Sequence, residues 1–89
     1  MQSKFKVGDH LWIKGNHGKY VGVVVKVFPN LAAAEDAYPR SFQTITKPGP
    51  KYDANAIHYQ CELANKTKAD IGVSEPDAEL KWREPEADA

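Results

Sequence analysis

Residues 5–28 read FKVGDHLWIKGNHGKYVGVVVKVF, and this stretch decides the fold. Apolar and polar side chains alternate on both sides of the Gly-Asn-His-Gly sequence at 15–18, which is typical of two β-strands joined by a tight turn. The second strand is rich in valine, whose β-branched side chain favours strand over helix. Gly22, early in this strand, indicates the sharp bend or bulge that a small barrel needs in order to close. The stretch therefore predicts the opening hairpin of a small β-barrel.

Alternation assigns each side chain of a strand to one of two faces. We expect one face of this hairpin to form the core with the apolar residues of the later strands: Val7, Leu11, Ile13, Val21, Val23, Val25, Val27, Ile57, Tyr59, Cys61, Leu63, Ile71, Val73 and Leu80. The opposite face then carries aromatic and basic side chains: Trp12, Lys14, Tyr20 and Lys26. Such a face is typical of a surface that binds another macromolecule.

After the hairpin comes a long connection, which we interpret as an insertion at about 31–56 between the second and third core strands. Asn30 is a suitable N-cap for an alanine-rich helix at 31–38. Residues 41–47, SFQTITK, alternate and predict a strand, which we expect to pair with 57–63. The insertion could be functional, or it could be a lid over an open end of the barrel or over the aromatic face.

The last third of the chain predicts three short elements and a tail. Strands are expected at 57–63 and 71–73, followed by a helical turn around 74–79 and a closing strand at 80–82. The sequence after 83, EPEADA, is acidic and has no apolar side chain larger than alanine. We expect residues 84–89 to be disordered.

Four stretches carry a resemblance to a known group of domains: FKVGDHLW at 5–12, GKYVGVVVKV at 18–27, HYQCELANKTKADIGV at 58–73 and SEPDAEL at 74–80. Together they resemble SH3-like barrels of the Tudor and KOW kind, above all the hypervirulence-associated Tudor domain family of small bacterial proteins. The resemblance implies an all-β fold, a small five-stranded SH3-like (Tudor-type) barrel at 1–83 with a short helix in the insertion. It implies no specific function, because the function of that family is itself poorly defined.

Composition limits the class of protein. Eighty-nine residues form one domain, and 42% of them are hydrophobic, which is near the globular average. Residues 1–51 carry a formal charge of +5 and residues 52–89 one of −5, so the chain is neutral as a whole. No apolar run is long enough to cross a bilayer, and the first residues contain no signal peptide pattern. We expect a cytoplasmic protein that makes no membrane contact, as a monomer or weak homodimer.

Candidate chemical groups are few. His58 and Cys61 have a spacing that occurs in zinc sites, but residues three apart on a strand point to opposite faces. The alternation places Cys61 in the core, where a thiol behaves as a small apolar residue. An aromatic cage for a methylated lysine would need Trp12, Tyr20 and Tyr59 together, yet Tyr59 shares the core face of Cys61. We therefore expect no enzyme activity, no metal and no cofactor.

Two functions remain. The first is a protein-binding module that uses the Trp12 and Tyr20 face or the insertion, because tryptophan and tyrosine are favoured interface anchors. The alternative is a nucleic-acid-binding module, or one that binds the transcription machinery, through a basic face. The candidate partner-binding residues of these two hypotheses are Trp12, Lys14, Lys19, Tyr20, Lys26 and Arg40.

Overall fold

The computed structural model describes residues 2–15, 18–42, 49–63 and 70–85. Five strands lie in this part of the chain: β1 (His10–Gly15), β2 (Gly18–Phe28), β3 (His58–Leu63), β4 (Asp70–Ser74) and β5 (Ala78–Trp82). They form one antiparallel sheet in the order β4-β3-β2-β1-β5. Two short helices, α1 (Leu31–Ala37) and α2 (Pro39–Phe42), connect β2 to β3, and a 3-10 turn (Glu75–Asp77) precedes β5. A β-rich fold of five strands, with a helix between the second and third, is thereby confirmed.

The opening hairpin forms as predicted. β1 and β2 pair from His10 opposite Val23 to Gly15 opposite Gly18. Gly22 faces the core between β1 and β3. A Cβ atom at this position would lie only 2.9 Å from the side chains of Ile13 and Cys61. Glycine is therefore required for the close packing of three strands, while the β-bulge itself lies further along β2.

The register of β2 reverses the predicted facing of the valines before its β-bulge: Val21 lies opposite Trp12 and Val23 opposite His10, away from the core. Val24 pairs with Cys61 and Lys26 with Gln60, so Val25 is an extra residue between them. Val24 is 1% exposed and Val25 is 41% exposed, the reverse of the prediction. Alternation favours the odd-numbered valines, and only the pairing of β2 with β1 and β3 places Val24 inward instead. Only after the bulge does an odd-numbered valine, Val27, pack against the core.

The core lies on one face of the sheet. Its buried residues are Phe5, Leu11, Ile13, Val24, Tyr59, Cys61, Val73 and Ala78, with Val27, Ile57 and Ile71 packed against them. Leu11, Ile13, Tyr59, Cys61 and Val73 are thus confirmed as core residues. Val7 and Leu80 are exposed, and their predicted burial is wrong. The N-terminal segment buries Phe5 instead of Val7, because Phe5 packs its ring edge-to-face on Tyr59 with the centroids 5.3 Å apart.

The insertion begins as predicted and then departs from the prediction. The Oδ1 atom of Asn30 accepts a hydrogen bond from the backbone N–H of Ala33 at 2.9 Å, which confirms the N-cap of α1. Residues 41–42 belong to α2 and not to a strand. The proposed pairing with β3 is also wrong, because β2 and β4 occupy the two sides of β3. The rest of that predicted strand, 43–48, lies outside the described residues, as does 86–89 of the predicted tail.

The helices cover part of the second face of the sheet. Phe28, Ala34 and Phe42 form a separate buried cluster there, supported by partly buried Leu31, Ala33 and Tyr38. The ring of Phe42 lies directly over Gly72 of β4, where an added Cβ atom would overlap it. Residues His58 to Cys61 of β3 are consequently buried on both faces of the sheet. The part of the second face formed by β1, β5 and the start of β2 is the remaining surface on that side.

Neither described helix reaches the length that a bilayer crossing requires.

Candidate binding surface

β1 lies between β2 and β5, and its outward side chains meet those of both neighbours. Trp12 is opposite Val21 of β2 on one side and opposite Glu79 of β5 on the other. Directly opposed residues of antiparallel strands point to the same face of a sheet. We use the name Trp12 surface for the charged and aromatic side chains on this face: His10, Trp12, Lys14, Lys19, Glu79, Lys81 and Trp82.

Two lysine side chains converge on the indole ring of Trp12. The Nζ atom of Lys19 lies 5.7 Å from the ring centroid and the Nζ atom of Lys81 lies 5.5 Å from it. Both distances are within the range of cation–π attraction. Lys19 comes from β2, beside the hairpin turn, and Lys81 comes from β5. Trp12 is thus a partly exposed ring with a positive charge supplied from each neighbouring strand.

A small irregularity in pairing places Trp82 on the Trp12 surface. His10 is opposite Trp82 and Leu11 is opposite Leu80, so β5 has one extra residue at this step. That residue is Lys81. Without the bulge, Lys81 would lie opposite His10, and Trp82 would point to the same face as Leu80 and Leu11. The bulge therefore brings Trp82, the second tryptophan, to the Trp12 surface.

The third lysine of the surface, Lys14, is paired. Its Nζ atom lies 2.5 Å from the Oε1 atom of Glu79, and both side chains are open to solvent. The hydrogen bond from Lys14 lowers the pKa of the Glu79 carboxyl, and the charge of Lys19 acts in the same direction. An exposed pair of this kind contributes little to stability. The Trp12 surface thus carries three lysines and one glutamate, and Lys19 and Lys81 are the two lysines next to the ring of Trp12.

A second aromatic position lies two residues from Trp12 along β1. The rings of His10 and Trp82 meet edge-to-face with their centroids 5.1 Å apart. Trp82 is 49% exposed, which is high for so large an apolar side chain. Both tryptophans of the sequence therefore lie on this one surface.

The structure brings together only part of the predicted site. Trp12, Lys14 and Lys19 share the Trp12 surface. Tyr20 does not, because it lies opposite Ile13 and so on the other face, where it is 39% exposed. Its predicted place beside Trp12 is wrong. As with the valines of β2 before its β-bulge, the prediction assigned each side chain to the face opposite the one it occupies.

Two further candidates lie elsewhere. Lys26 is exposed beyond the bulge, five residues along β2 from the partner of Trp12, which corresponds to about 16 Å. Arg40 is exposed on α2, in the insertion. Neither belongs to the Trp12 surface. The prediction that the insertion covers Trp12 is likewise unsupported by the contacts of α1 and α2, which pack on β2, β3 and β4.

Sequence reasoning missed His10, Lys81 and Trp82 as members of this surface. Alternation along β1 places His10 on the same side as Trp12, but nothing local indicates an aromatic partner for it. Lys81 and Trp82 are about seventy residues away from β1 in the chain. Their place follows from the pairing of β5 with β1, which no local pattern encodes.

Other reactive groups are used inside the protein. The imidazole of His58 is fully buried, with Nδ1 2.8 Å from the carbonyl oxygen of Ala56 and Nε2 3.0 Å from the hydroxyl of Tyr52. Burial raises the pKa of the Cys61 thiol to about 12, so it is protonated at neutral pH and not an activated nucleophile. Tyr59 is buried in the core and cannot line a cage on the surface. Within the described ranges, no group of three potential metal-binding side chains occurs.

Comparison with family models, with curated proteins and with solved structures finds no match to this chain. The resemblance to Tudor and KOW barrels thus stays a prediction based on motifs. Because a fold does not determine a function, the function has to be argued from the surface itself.

Proposed function

We propose that this chain is a non-catalytic binding module that holds a macromolecular partner on the Trp12 surface. One observation carries the proposal: both tryptophans lie partly or largely exposed on one sheet face, among three lysines. Tryptophan is the residue type most enriched at binding hot spots, and a small domain that exposes two of them on one face has a surface suited to a partner.

The proposal includes an SH3-like barrel of the Tudor or KOW kind as the scaffold. Its support is the strand order, in which β1 to β4 pair consecutively and β5 returns to the free side of β1. The 3-10 turn before β5 and the bulge in β2 agree with the same architecture. In such a scaffold, strand faces away from the core are available for binding.

A protein partner is one candidate, because exposed aromatic side chains with a polar rim are typical of protein interfaces. The insertion is a weaker alternative site. Its apolar side chains Ala34 and Phe42 are buried against the sheet, so they are not available to a partner in this conformation. The lysines around Trp12 favour a second candidate, a nucleic acid, since they form a positive field on a chain with no net charge.

Affinity capture from a cell lysate tests the site. We compare the wild-type chain with Trp12→Ala and with a matched control, Tyr20→Ala, which removes an exposed aromatic side chain from the opposite face. Captured material is divided and treated with nuclease or protease to identify its class. We expect Trp12→Ala to lose a partner that Tyr20→Ala retains. Identical retention by both variants would show that the Trp12 surface is not the binding site.

A further inference from the structure

We infer that the partner of the Trp12 surface is a single-stranded nucleic acid, whose bases lie on the exposed rings and whose phosphates meet Lys19 and Lys81. This inference rests on the proposed function, because it assumes that the Trp12 surface is the binding site. It adds the chemical class of the partner and the part that each side chain takes in binding.

The charges point to a polyanion. Lys19 and Lys81 each bring an ammonium group within 6 Å of the same ring, so two like charges lie close together. In the described part of the chain, the only carboxylate in an ion pair on this surface is that of Glu79, and Lys14 is its partner. Two neighbouring phosphodiesters, with one negative charge each, would neutralise the ammonium groups of Lys19 and Lys81. Consecutive phosphates on one strand supply such charges at regular intervals.

The rings point to exposed bases. Side chains two residues apart on a strand are about 7 Å from each other, so Trp12 and the His10–Trp82 pair form two successive aromatic positions along β1. Two neighbouring bases of an unstacked strand can each lie on one of these positions. Stacking of bases on aromatic side chains, beside cations that contact the backbone, is the usual way in which proteins bind single strands.

The same features are less suited to other polyanions. An acidic protein segment could neutralise Lys19 and Lys81, but its carboxylates would leave the rings of Trp12 and Trp82 without planar partners. A duplex could offer phosphates, but its bases are stacked inside the helix and cannot reach a ring. Only a single strand uses both the cations and the rings of the surface.

Fluorescence titration of the full chain tests the inference. The probes are a labelled oligothymidylate, an oligouridylate of the same length, a duplex of the same length and a polyglutamate peptide. Probe anisotropy reports binding, and quenching of intrinsic tryptophan fluorescence reports stacking. Both tryptophans of the chain lie on the Trp12 surface, so the quenching is specific to it. Titrations at about 50 and about 200 mM salt give the number of phosphate contacts.

We expect the single strands to bind more tightly than the duplex and the peptide, and to quench the tryptophan fluorescence. Two to three phosphate contacts should give a slope of log K against log salt of about −1.5 to −2. The two oligonucleotides distinguish DNA from RNA, which share the base and phosphate chemistry. Trp12→Ala should weaken binding about tenfold or more, as loss of one stacked base does. Trp12→Phe keeps a ring and should retain part of the affinity.

Lysine variants separate the site from general electrostatics. The double variant Lys19→Gln and Lys81→Gln should weaken single-strand binding. It should also make the slope of log K against log salt less negative by about 1.5. The matched control is Lys26→Gln, an exposed lysine of the same strand far from Trp12, and it should bind as the wild type does. Equal losses in the control and in the double variant would overturn the inference.

The remaining outcomes separate the inference from the proposed function. If the peptide binds, the oligonucleotides do not, and Trp12→Ala abolishes peptide binding, the nucleic-acid inference is wrong and the binding surface stands. If the duplex binds as tightly as the single strands without quenching, base stacking is wrong. If no probe binds and lysate capture is also unaffected by Trp12→Ala, both proposals are wrong.

Discussion

Arg83 binds the carboxylate of Asp9 with two hydrogen bonds, from Nε to Oδ1 at 2.9 Å and from Nη2 to Oδ2 at 2.6 Å. Asp9 is 1% exposed, so its charge is almost completely removed from water. The backbone N–H of Lys6 donates a third hydrogen bond to the same carboxylate, at 3.0 Å. This contact connects the segment before β1 to the segment after β5, and thereby closes the two ends of the described chain on each other.

Removal of Arg83 should destabilise the protein. Arg83→Ala leaves the buried carboxylate of Asp9 with only its backbone donor, and an unsatisfied buried group of this kind costs about 1–3 kcal/mol. The Arg83 side chain is 37% exposed, which favours the lower part of that range. Urea denaturation gives the free energy of unfolding. Lys81→Ala, which removes a cation two residues earlier, from β5, without breaking this pair, should change it by less than about 0.5 kcal/mol.

The same contact predicts a loss of stability in acid. The hydrogen bonds from Arg83 lower the pKa of Asp9 below its ordinary value of 3.8. A carboxyl whose pKa is lower in the folded state contributes stability above its unfolded pKa and loses it as the pH falls through the folded value. The free energy of unfolding of the wild type should therefore decrease below about pH 4, and that of Asp9→Asn should decrease less. Parallel decreases in both would show that other carboxyls cause the acid effect.

His58 predicts a second pH effect, at higher pH. Burial lowers the pKa of His58 below its ordinary value of 6.5, against the opposing effects of Ala56, Asp53 and Glu35. A buried imidazole that stays neutral in the folded state binds a proton more readily once the chain unfolds. Its contribution to stability is complete above about pH 6.5 and decreases as the pH falls below that value.

Denaturation of His58→Gln between about pH 5 and 8 tests this prediction. The variant should be less stable than the wild type at pH 8, because it loses the packing of the imidazole between Phe42 and Tyr52. It should also lose the pH dependence that the wild type shows in this range. His10→Gln serves as control and should keep the dependence. An unchanged pH profile in His58→Gln would contradict the assignment.

The register of β2 predicts opposite effects for two adjacent valines. Val24→Ala removes a side chain that is 1% exposed and should cost about 2 kcal/mol or more. Val25→Ala removes one that is 41% exposed and should change the stability by less than about 0.5 kcal/mol. The two variants have identical chemistry, so each is the control of the other. A larger loss for Val25→Ala than for Val24→Ala would show that Val25 points to the core, and it would contradict the register and the bulge of β2.

Gly72 and Phe42 predict a coupling between β4 and the insertion. An added Cβ atom at position 72 would lie 2.4 Å from the ring of Phe42, so Gly72→Ala should displace α2 and lower the free energy of unfolding by more than about 1 kcal/mol. Phe42→Leu is destabilising alone, because it leaves space in the cluster of Phe28 and Ala34. In the double variant the smaller side chain makes room for the new methyl group. The two losses should therefore not add; additive losses would show that the residues are not in contact.

Local patterns in the sequence were sufficient to predict several elements. The glycine turn and the valine-rich run predicted the β1–β2 hairpin, and Asn30 with its alanines predicted α1. These elements depend on interactions between residues close together in the chain, namely strand alternation, a capping hydrogen bond and intrinsic propensity. The strand at 58–63 and the turn before β5 were predicted for the same reason.

Tertiary packing decided the rest. Alternation along β2 favours its odd-numbered valines for the core, and only the pairing with β1 and β3 selects Val24 instead. Ser41 and Phe42 begin a stretch whose alternation is typical of a strand, yet they lie in α2, where Phe42 is buried over Gly72. Tertiary contacts override local propensity in such segments because burial of a large side chain outweighs the small preference of the backbone.

The candidate site shows the same division. The sequence alone predicted an all-β chain with aromatic and basic residues around Trp12 on one side of its first strand. Only the pairing of β5 with β1 added Lys81 and Trp82 to that surface, and only the register of β2 removed Tyr20 from it. The physical reason is that alternation is a local property of each strand, whereas the neighbours of a side chain across a sheet depend on register and bulges, which the whole fold determines.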